Sequence, residues 1–433
     1  MLSICIALGA TSLGAKAQSL VDLYNAAKGY DATYQSAKSQ FDATVAKGEQ
    51  ARAGVLPTVN LSANGSQTNQ DSSLSSLSGR NYNSSSATLS ASQPLYRPAN
   101  VAAYDQGKKQ IELAQFQLDA AELDLIVRTS QAYFDVLAAS DTLQYTLSQK
   151  DAVAEQLASA KRNFEVGTAT IVDTRDAQAR YDLVVAQQLA AENDLRVKSL
   201  ALDQLVGRMG TQPKPLRSPI VLTQLDGDVN QWVQQSEVYS PTIKQLANAL
   251  EIARLETEKA QAGSKPTLDL TGSYSAANNS GSSTLASSYT LNTANIGLSF
   301  NLPLFAGYSI QNRLKETLAL EEKARSDLEA TRRSVAQATR TAFFGVQSGL
   351  SQVKAYEAAE ASTQSALDAN KLGYQVGVKI NIDVLNSQSQ LYSTKASLAK
   401  ARYDVLVGGL KLRQAVGNLN EQDLQPINAL LAP

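Results

Sequence analysis

Four segments of the chain alternate apolar or small residues with polar ones at period two, the pattern of a strand with one face of each kind. In Thr58 to Ser66, Val59, Leu61, Ala63 and Gly65 alternate with Asn60, Ser62 and Asn64. Ala87, Leu89, Ala91 and Leu95 oppose Thr88, Ser90 and Ser92, and Leu268, Leu270, Gly272, Tyr274 and Ala276 oppose Asp269, Thr271, Ser273 and Ser275. The clearest run sets Ala294, Ile296, Leu298, Phe300 and Leu302 against Asn295, Gly297, Ser299 and Asn301. Ser/Asn/Gly-rich sequence separates the members of each pair, at Asp71 to Arg80 and Asn278 to Ser288, so two hairpins are predicted. Polar faces made almost wholly of Ser, Thr and Asn suit a water-filled lumen. Tyr82, Tyr96, Tyr274, Tyr289, Phe305 and Tyr308 lie at or near strand ends, as interfacial aromatic girdles do. A soluble sandwich is the competing reading. As a membrane barrel, four strands fall short of the practical minimum of about eight, so the chain has to oligomerise, and three copies would supply about twelve strands.

Between the hairpins the periodicity changes from two to seven. From Ala99 to about Glu165 there is no proline and glycine occurs only at Gly107, which predicts one helix roughly 100 Å long. Ile111, Leu118, Leu125 and Ala132 form one seam along it, and Leu113, Ala120, Val127 and Phe134 form a second about 200° away. A helix with two nearly opposite apolar faces needs a neighbour on each side, as in a closed ring. The equivalent stretch from Tyr308 to about Gln375 keeps Leu314, Leu328, Val335 and Ala342 but interrupts the seam with Glu321. A coiled-coil adaptor is the alternative for these helices taken alone. Each long helix ends at a short turn, Val166-Gly167 through Asp173 or Val376-Gly377 through Asp383. The glycines suit a left-handed helix terminus, and the aspartates can cap or start the returning helix.

The whole arrangement occurs twice. Ala53-Gly54 to Leu61 answers to Ala262-Gly263 to Leu270 at an offset of 209, and Pro94-Leu95-Tyr96 to Pro303-Leu304-Phe305. Ala132-Tyr133-Phe134 returns as Ala342-Phe343-Phe344, one residue later, and Leu205-Val206-Gly207 as Ala415-Val416-Gly417. A period this long marks two homologous halves rather than a solenoid. The expected organisation is a signal peptide at 1–17, a first structural repeat at 18–217, a second at 218–425 and a tail at 426–433. Strands are expected at about 57–69, 83–96, 266–277 and 289–304. Helices are expected at about 31–54, 99–165, 172–207, 240–263, 308–375 and 382–416.

Composition narrows the function by exclusion. The 433 residues hold 39 basic and 40 acidic side chains, so there is no basic field for nucleic acid. The one cysteine, Cys5, lies in the apolar start, and Ala15-Lys16-Ala17 reads as a small-residue cleavage site, so the mature chain is expected to be exported without cysteine. The apolar start has no Lys or Arg before it, so a true start upstream of Met1 is expected. No later stretch reaches the length of a membrane helix, so any crossing has to use strands. The complete absence of histidine removes Ser-His-Asp and Cys-His sites and most zinc sites, and no phosphate-binding glycine motif is present, so neither enzyme activity nor a cofactor is expected.

The tandem halves, the two Val-Gly-x-x-x-x-x-Asp turns, the segment Gly373-Tyr374-Gln375-Val376-Gly377 through Val384-Leu385, and the closing Gly417-Asn418-Leu419-Asn420-Glu421-Gln422-Asp423-Leu424 together resemble the TolC family of bacterial outer-membrane efflux channels. The resemblance runs over residues 18 to 425. It implies a mainly α chain with a membrane β-barrel: a homotrimer in the outer membrane, with four strands per chain in a barrel of about twelve, a long α-helical barrel in the periplasm, and a mixed belt built from residues around 18–30, 208–240 and 418–433. The implied function is an outer-membrane exit duct of a tripartite efflux or type I secretion system. It would conduct drugs or proteins passively from an inner-membrane pump of ABC, RND or MFS type, through a periplasmic adaptor, with outer-membrane lipid around the barrel.

The resemblance also assigns residues. It implies that Tyr374 and Lys379 are gate residues linked to Asp173 in the same or a neighbouring protomer, with Lys379 in place of the family's usual Arg. Lysine lacks the planar fork of arginine and its links should be weaker. Asp383 is expected to form a threefold carboxylate ring at the entrance, with a possible inhibitory cation there and no structural metal. Asn386 stands where a second aspartate is found in the family. Val166, Gly167, Val376 and Gly377 are the expected adaptor contacts.

Overall fold

The computed structural model describes residues 17–73, 78–217 and 219–432. The expected signal peptide, apart from its last residue, and Cys5 lie outside them. In chain order the elements are α1 (Leu20–Tyr30), α2 (Ala32–Arg52), β1 (Thr58–Gln70), β2 (Arg80–Tyr96), α3 (Pro98–Glu165), α4 (Ile171–Val206), α5 (Val229–Tyr239), α6 (Pro241–Ala262), β3 (Thr267–Asn279), β4 (Tyr289–Asn301), α7 (Ser309–Gln375), α8 (Asn381–Val416) and α9 (Leu424–Asn428). Proline opens α3 and α6, where its missing N–H costs nothing. Compared with the sequence expectation, β2 begins three residues earlier and β4 stops at Asn301 rather than near 304. Helices α1 and α5 stand where only a mixed belt was foreseen.

Two compact units can be distinguished. The unit of Ser39–Gln117 and Thr242–Thr331 holds the sheet, whose order β1-β2-β3-β4 contains no crossover. The pairing of β1 with β2 and of β3 with β4 repeats in register: Leu61 faces Leu89 as Leu270 faces Leu298. The β2–β3 ladder joins the repeats and is irregular between Pro94 and Tyr96, where proline has no N–H to give. Near this point Arg97 grips the buried carboxylate of Asp269 with two hydrogen bonds of 2.7 and 2.6 Å. The apolar face of the sheet is uncovered, Ile296 being 83% exposed.

The other unit comprises 17–38, Leu118–Pro241 and Arg332–Pro433. Its core brings Leu20 and Tyr24 of α1 together with Leu125 and Phe134 of α3, Leu202 of α4, Tyr403 of α8 and Leu424 of α9. Phe134 stacks on Tyr403, with centroids 5.5 Å apart, and the Tyr403 hydroxyl donates to Asp141 at 2.6 Å. Residues 212–217 are flanked on both sides by segments distant in sequence: Gln18 exchanges backbone hydrogen bonds with Gln212 and Lys214, while Pro215 and Arg217 bond to Ala432 and Leu430. Both 36-residue helices, α4 and α8, stop at left-handed glycines, Gly207 at φ 71° and Gly417 at φ 88°. Among the described residues no helix is long and apolar enough to cross a membrane.

Candidate functional site

The two Val-Gly turns share one geometry. After α3, the Asn163 carbonyl accepts from the Thr168 and Ala169 amides at 2.8 and 3.1 Å, with Gly167 at φ 80°. After α7, the Gly373 carbonyl accepts from Val378 and Lys379 at 2.8 and 3.0 Å, with Gly377 at φ 78°. Such bonds satisfy carbonyls that a helix end leaves without a partner.

The returning helices differ. Thr170 caps α4 in a reciprocal box with Asp173, whose carboxylate accepts the Thr170 amide at 2.9 Å and its hydroxyl at 2.7 Å. In the second repeat Ile380 occupies the cap position, has no hydroxyl to offer, and makes no side-chain cap. Asp383 is therefore free of capping, and its carboxylate lies 3.5 Å from Lys379 Nζ. One residue, Thr against Ile, separates an aspartate engaged in local structure from one available for other work.

Towards the turns, the hairpin of α3 and α4 is joined to that of α7 and α8 by polar contacts. Asn163 Nδ2 donates to the Tyr374 hydroxyl at 3.2 Å, Arg180 Nη2 donates to Asn386 Oδ1 at 2.7 Å, and Gln156 Nε2 donates to Asn381 Oδ1. Asn381 is buried, and its own amide nitrogen has no hydrogen-bond partner. Of the expected gate residues, Tyr374 thus meets the first repeat through Asn163, Lys379 stays on its own turn with Asp383, and Asp173 serves its own helix. Within one chain Asp173 makes no hydrogen bond or ion pair with Tyr374 or Lys379 among the described contacts. Sequence reasoning missed Asn163, Gln156, Asn381 and Arg180. The repeat offset carried a signal for the first of these, since Asn163 aligns with Gly373, a side chain where the other half has none.

Around these contacts the tips are apolar and uncovered. Val166 is 73% and Val376 66% exposed, and Ile171, Val172, Val378 and Ile380 are exposed beside them. Among the described residues no three of His, Cys, Asp and Glu gather into a group able to hold a metal.

Residues 23–208 and 232–418 each match the family model described as outer membrane efflux protein. The chain belongs to that family. It is similar to outer membrane protein TolC of Escherichia coli K12, 32% identical over 437 residues that cover 99% of this chain and 88% of that protein. It is also similar to the alkaline protease secretion protein AprF of Pseudomonas aeruginosa, 29% identical over 95% of this chain and 86% of that one. The fold matches the crystal structure of CusC with a TM-score of 0.82 at 19% identity, covering 93% of both chains. The two matched segments are the two halves seen in the sequence, and each contains one hairpin of strands and one of long helices. The protein is an outer-membrane efflux channel of the TolC family, a transport protein rather than an enzyme, and the alternative of a periplasmic adaptor is set aside.

Proposed function

We propose that three copies of this chain close one duct through the outer membrane and periplasm, which exports drugs or proteins delivered by an inner-membrane pump through a periplasmic adaptor. The observation that carries this reading is the four-stranded sheet with both edges open and its apolar face bare, which a single chain cannot place in lipid. Joining β1 of one copy to β4 of the next satisfies both edges and reaches a closable strand number. The exposed apolar residues of α7, among them Leu318, Leu320 and Phe344, lie on more than one side of the helix and leave apolar surface for neighbouring helices to cover. Similarity to a protease secretion protein supports protein cargo in addition to small molecules.

The tips are the entrance in this reading. Val166, Gly167, Val376 and Gly377 form the surface that an adaptor grips, Asp383 lines the opening, and Asn163–Tyr374 is a link that holds the two hairpins together. A neutral hydrogen bond contributes about 1 kcal/mol net, so three copies give about 3 kcal/mol, or roughly a hundredfold bias toward the closed entrance. Lys379 and Asp173 act across the boundary between copies. The test is single-channel conductance of the purified protein in planar bilayers. Asn163→Ala, Tyr374→Phe and Lys379→Ala are each expected to raise the open fraction. A large conductance indifferent to all three substitutions would make the duct an ungated pore.

A further inference from the structure

We infer that Arg180 sets the ionic selectivity of the entrance, holding it near charge balance so that anionic and neutral cargo pass where a ring of carboxylates would select cations. The inference rests on the reading of the hairpin tips as the entrance and goes beyond it by naming the class of cargo.

Arg180 is the tenth residue of α4, in the first repeat, and donates to Asn386 in the first turns of α8, in the second. Asn386 is exposed and uncharged, at the position where the family resemblance places a second carboxylate. The amide oxygen therefore holds a guanidinium at the place where an aspartate would present a negative charge. Relative to a carboxylate without this arginine, each protomer differs by two charges, and three protomers around an axis multiply the difference. Asn386 takes one of the five donors of the guanidinium, which leaves a planar cation suited to carboxylate or phosphate groups on cargo.

The remaining charges do not restore an acidic field. Asp383, three residues before Asn386, has Lys379 Nζ 3.5 Å away. Asp173 points its carboxylate at the amide and hydroxyl of Thr170. Across the two tip segments, 161–183 and 371–390, six Lys and Arg face five Asp and Glu. With a Debye length of about 8 Å in physiological salt, these nearby groups determine the local potential. A multivalent cation that would sit on three Asp383 carboxylates is consequently opposed by three Lys379 and three Arg180.

The test uses the full trimer in planar bilayers, with reversal potentials in a potassium chloride gradient and block by lanthanum. Wild type is expected to have a potassium-to-chloride permeability ratio near one and weak lanthanum block. Arg180→Gln is expected to raise the ratio about threefold and to bring block in at about tenfold lower lanthanum, while Arg180→Lys, which keeps the charge, stays close to wild type. A wild-type channel already strongly selective for cations, with Arg180→Gln unchanged, overturns the assignment and leaves the duct standing. If the trimer inserts but carries no current, lanthanum binding to it by calorimetry reads the same ring: tighter binding to Arg180→Gln supports the assignment and equal binding overturns it. A protein that forms no trimer and inserts in no bilayer refutes the duct reading instead.

Discussion

Gly207 and Gly417 end corresponding helices with corresponding backbone angles, yet the same substitution at the two sites should have unequal costs. A left-handed conformation costs an L-residue about 1–2 kcal/mol, so Ala is unfavourable at both. A Cβ on Gly207 meets ring atoms of Tyr30 at 2.4 to 2.6 Å, but Tyr30 is 60% exposed and can swing into solvent. A Cβ on Gly417 meets Ser240 Cα and the Tyr239 carbonyl oxygen at 2.6 Å and Pro241 Cδ at 2.7 Å, at the junction of α5 and α6. Backbone and a proline ring cannot rotate away, and overpacking of this kind adds about 1–3 kcal/mol. Gly207→Ala should therefore cost about 1–2 kcal/mol and Gly417→Ala about 2–5 kcal/mol. Urea melts of the detergent-solubilised protein, followed by circular dichroism, measure both. Trp232, the one tryptophan of the chain, packs beside Leu412 and Val416 and reports the second junction directly. Adding Tyr30→Ala should return part of the loss in Gly207→Ala. Equal costs at the two glycines, or a larger one at Gly207, would show that the contacts across these junctions do not set the penalty.

Three further outcomes follow from buried polar pairs. Asp31 is 8% exposed, caps Tyr34 and receives two hydrogen bonds from Arg128, chiefly because of which its carboxyl sits below the ordinary carboxylate range. A lowered folded-state pKa contributes stability above the unfolded value and loses it as pH falls through the folded one. Arg128→Ala should accordingly cost about 2–3 kcal/mol at neutral pH and flatten the acid limb of the stability profile. Asp141 lies on the other side, its carboxyl raised by burial against the lowering effect of the Tyr403 hydroxyl. Its contribution is present below the unfolded pKa and lost as pH rises through the raised value, so Asp141→Asn should gain stability over wild type at pH 7 and not at pH 3, checked by urea melts at both. Arg97→Ala strands the Asp269 carboxylate and should reduce trimer recovered from outer-membrane fractions, whereas Arg97→Ala with Asp269→Asn recovers most of it.

The strands were legible because their alternation is made of Ser, Thr and Asn against aliphatics, a pattern helices do not produce, and the length of α3 because nothing between Ala99 and Glu165 can break it. Helices α1 and α5 were not assigned, although Ser19 with Asp22 and Asp228 with Gln231 are capping pairs at their starts. Eleven residues each, they are too short for seven-residue periodicity to register. At the site the turn glycines could be read directly, since a helix that reverses within five residues needs the left-handed conformation. Asn163 was marked only by its alignment with Gly373, and the partners Gln156 and Arg180 by nothing, because each contact joins helices more than 200 residues apart and depends on their rotation about their axes. The fate of Asp173 turned on Thr170, three residues earlier, and the contrast with Ile380 becomes visible only when the halves are compared residue by residue.

The uncrossed strand order has a consequence for how the protein is made. Each hairpin can form locally, and β2 can meet β3 within a chain, but the outer rims of β1 and β4 stay unpaired until another copy arrives. Completion is therefore an encounter reaction whose rate depends on concentration, and until it happens each newly exported chain presents two adhesive rims. Thinly expressed protein should linger as proteolysis-sensitive monomer. A variant with a charge-disrupted β4 but an intact β1 should cap growing assemblies and poison its normal siblings in the same cell.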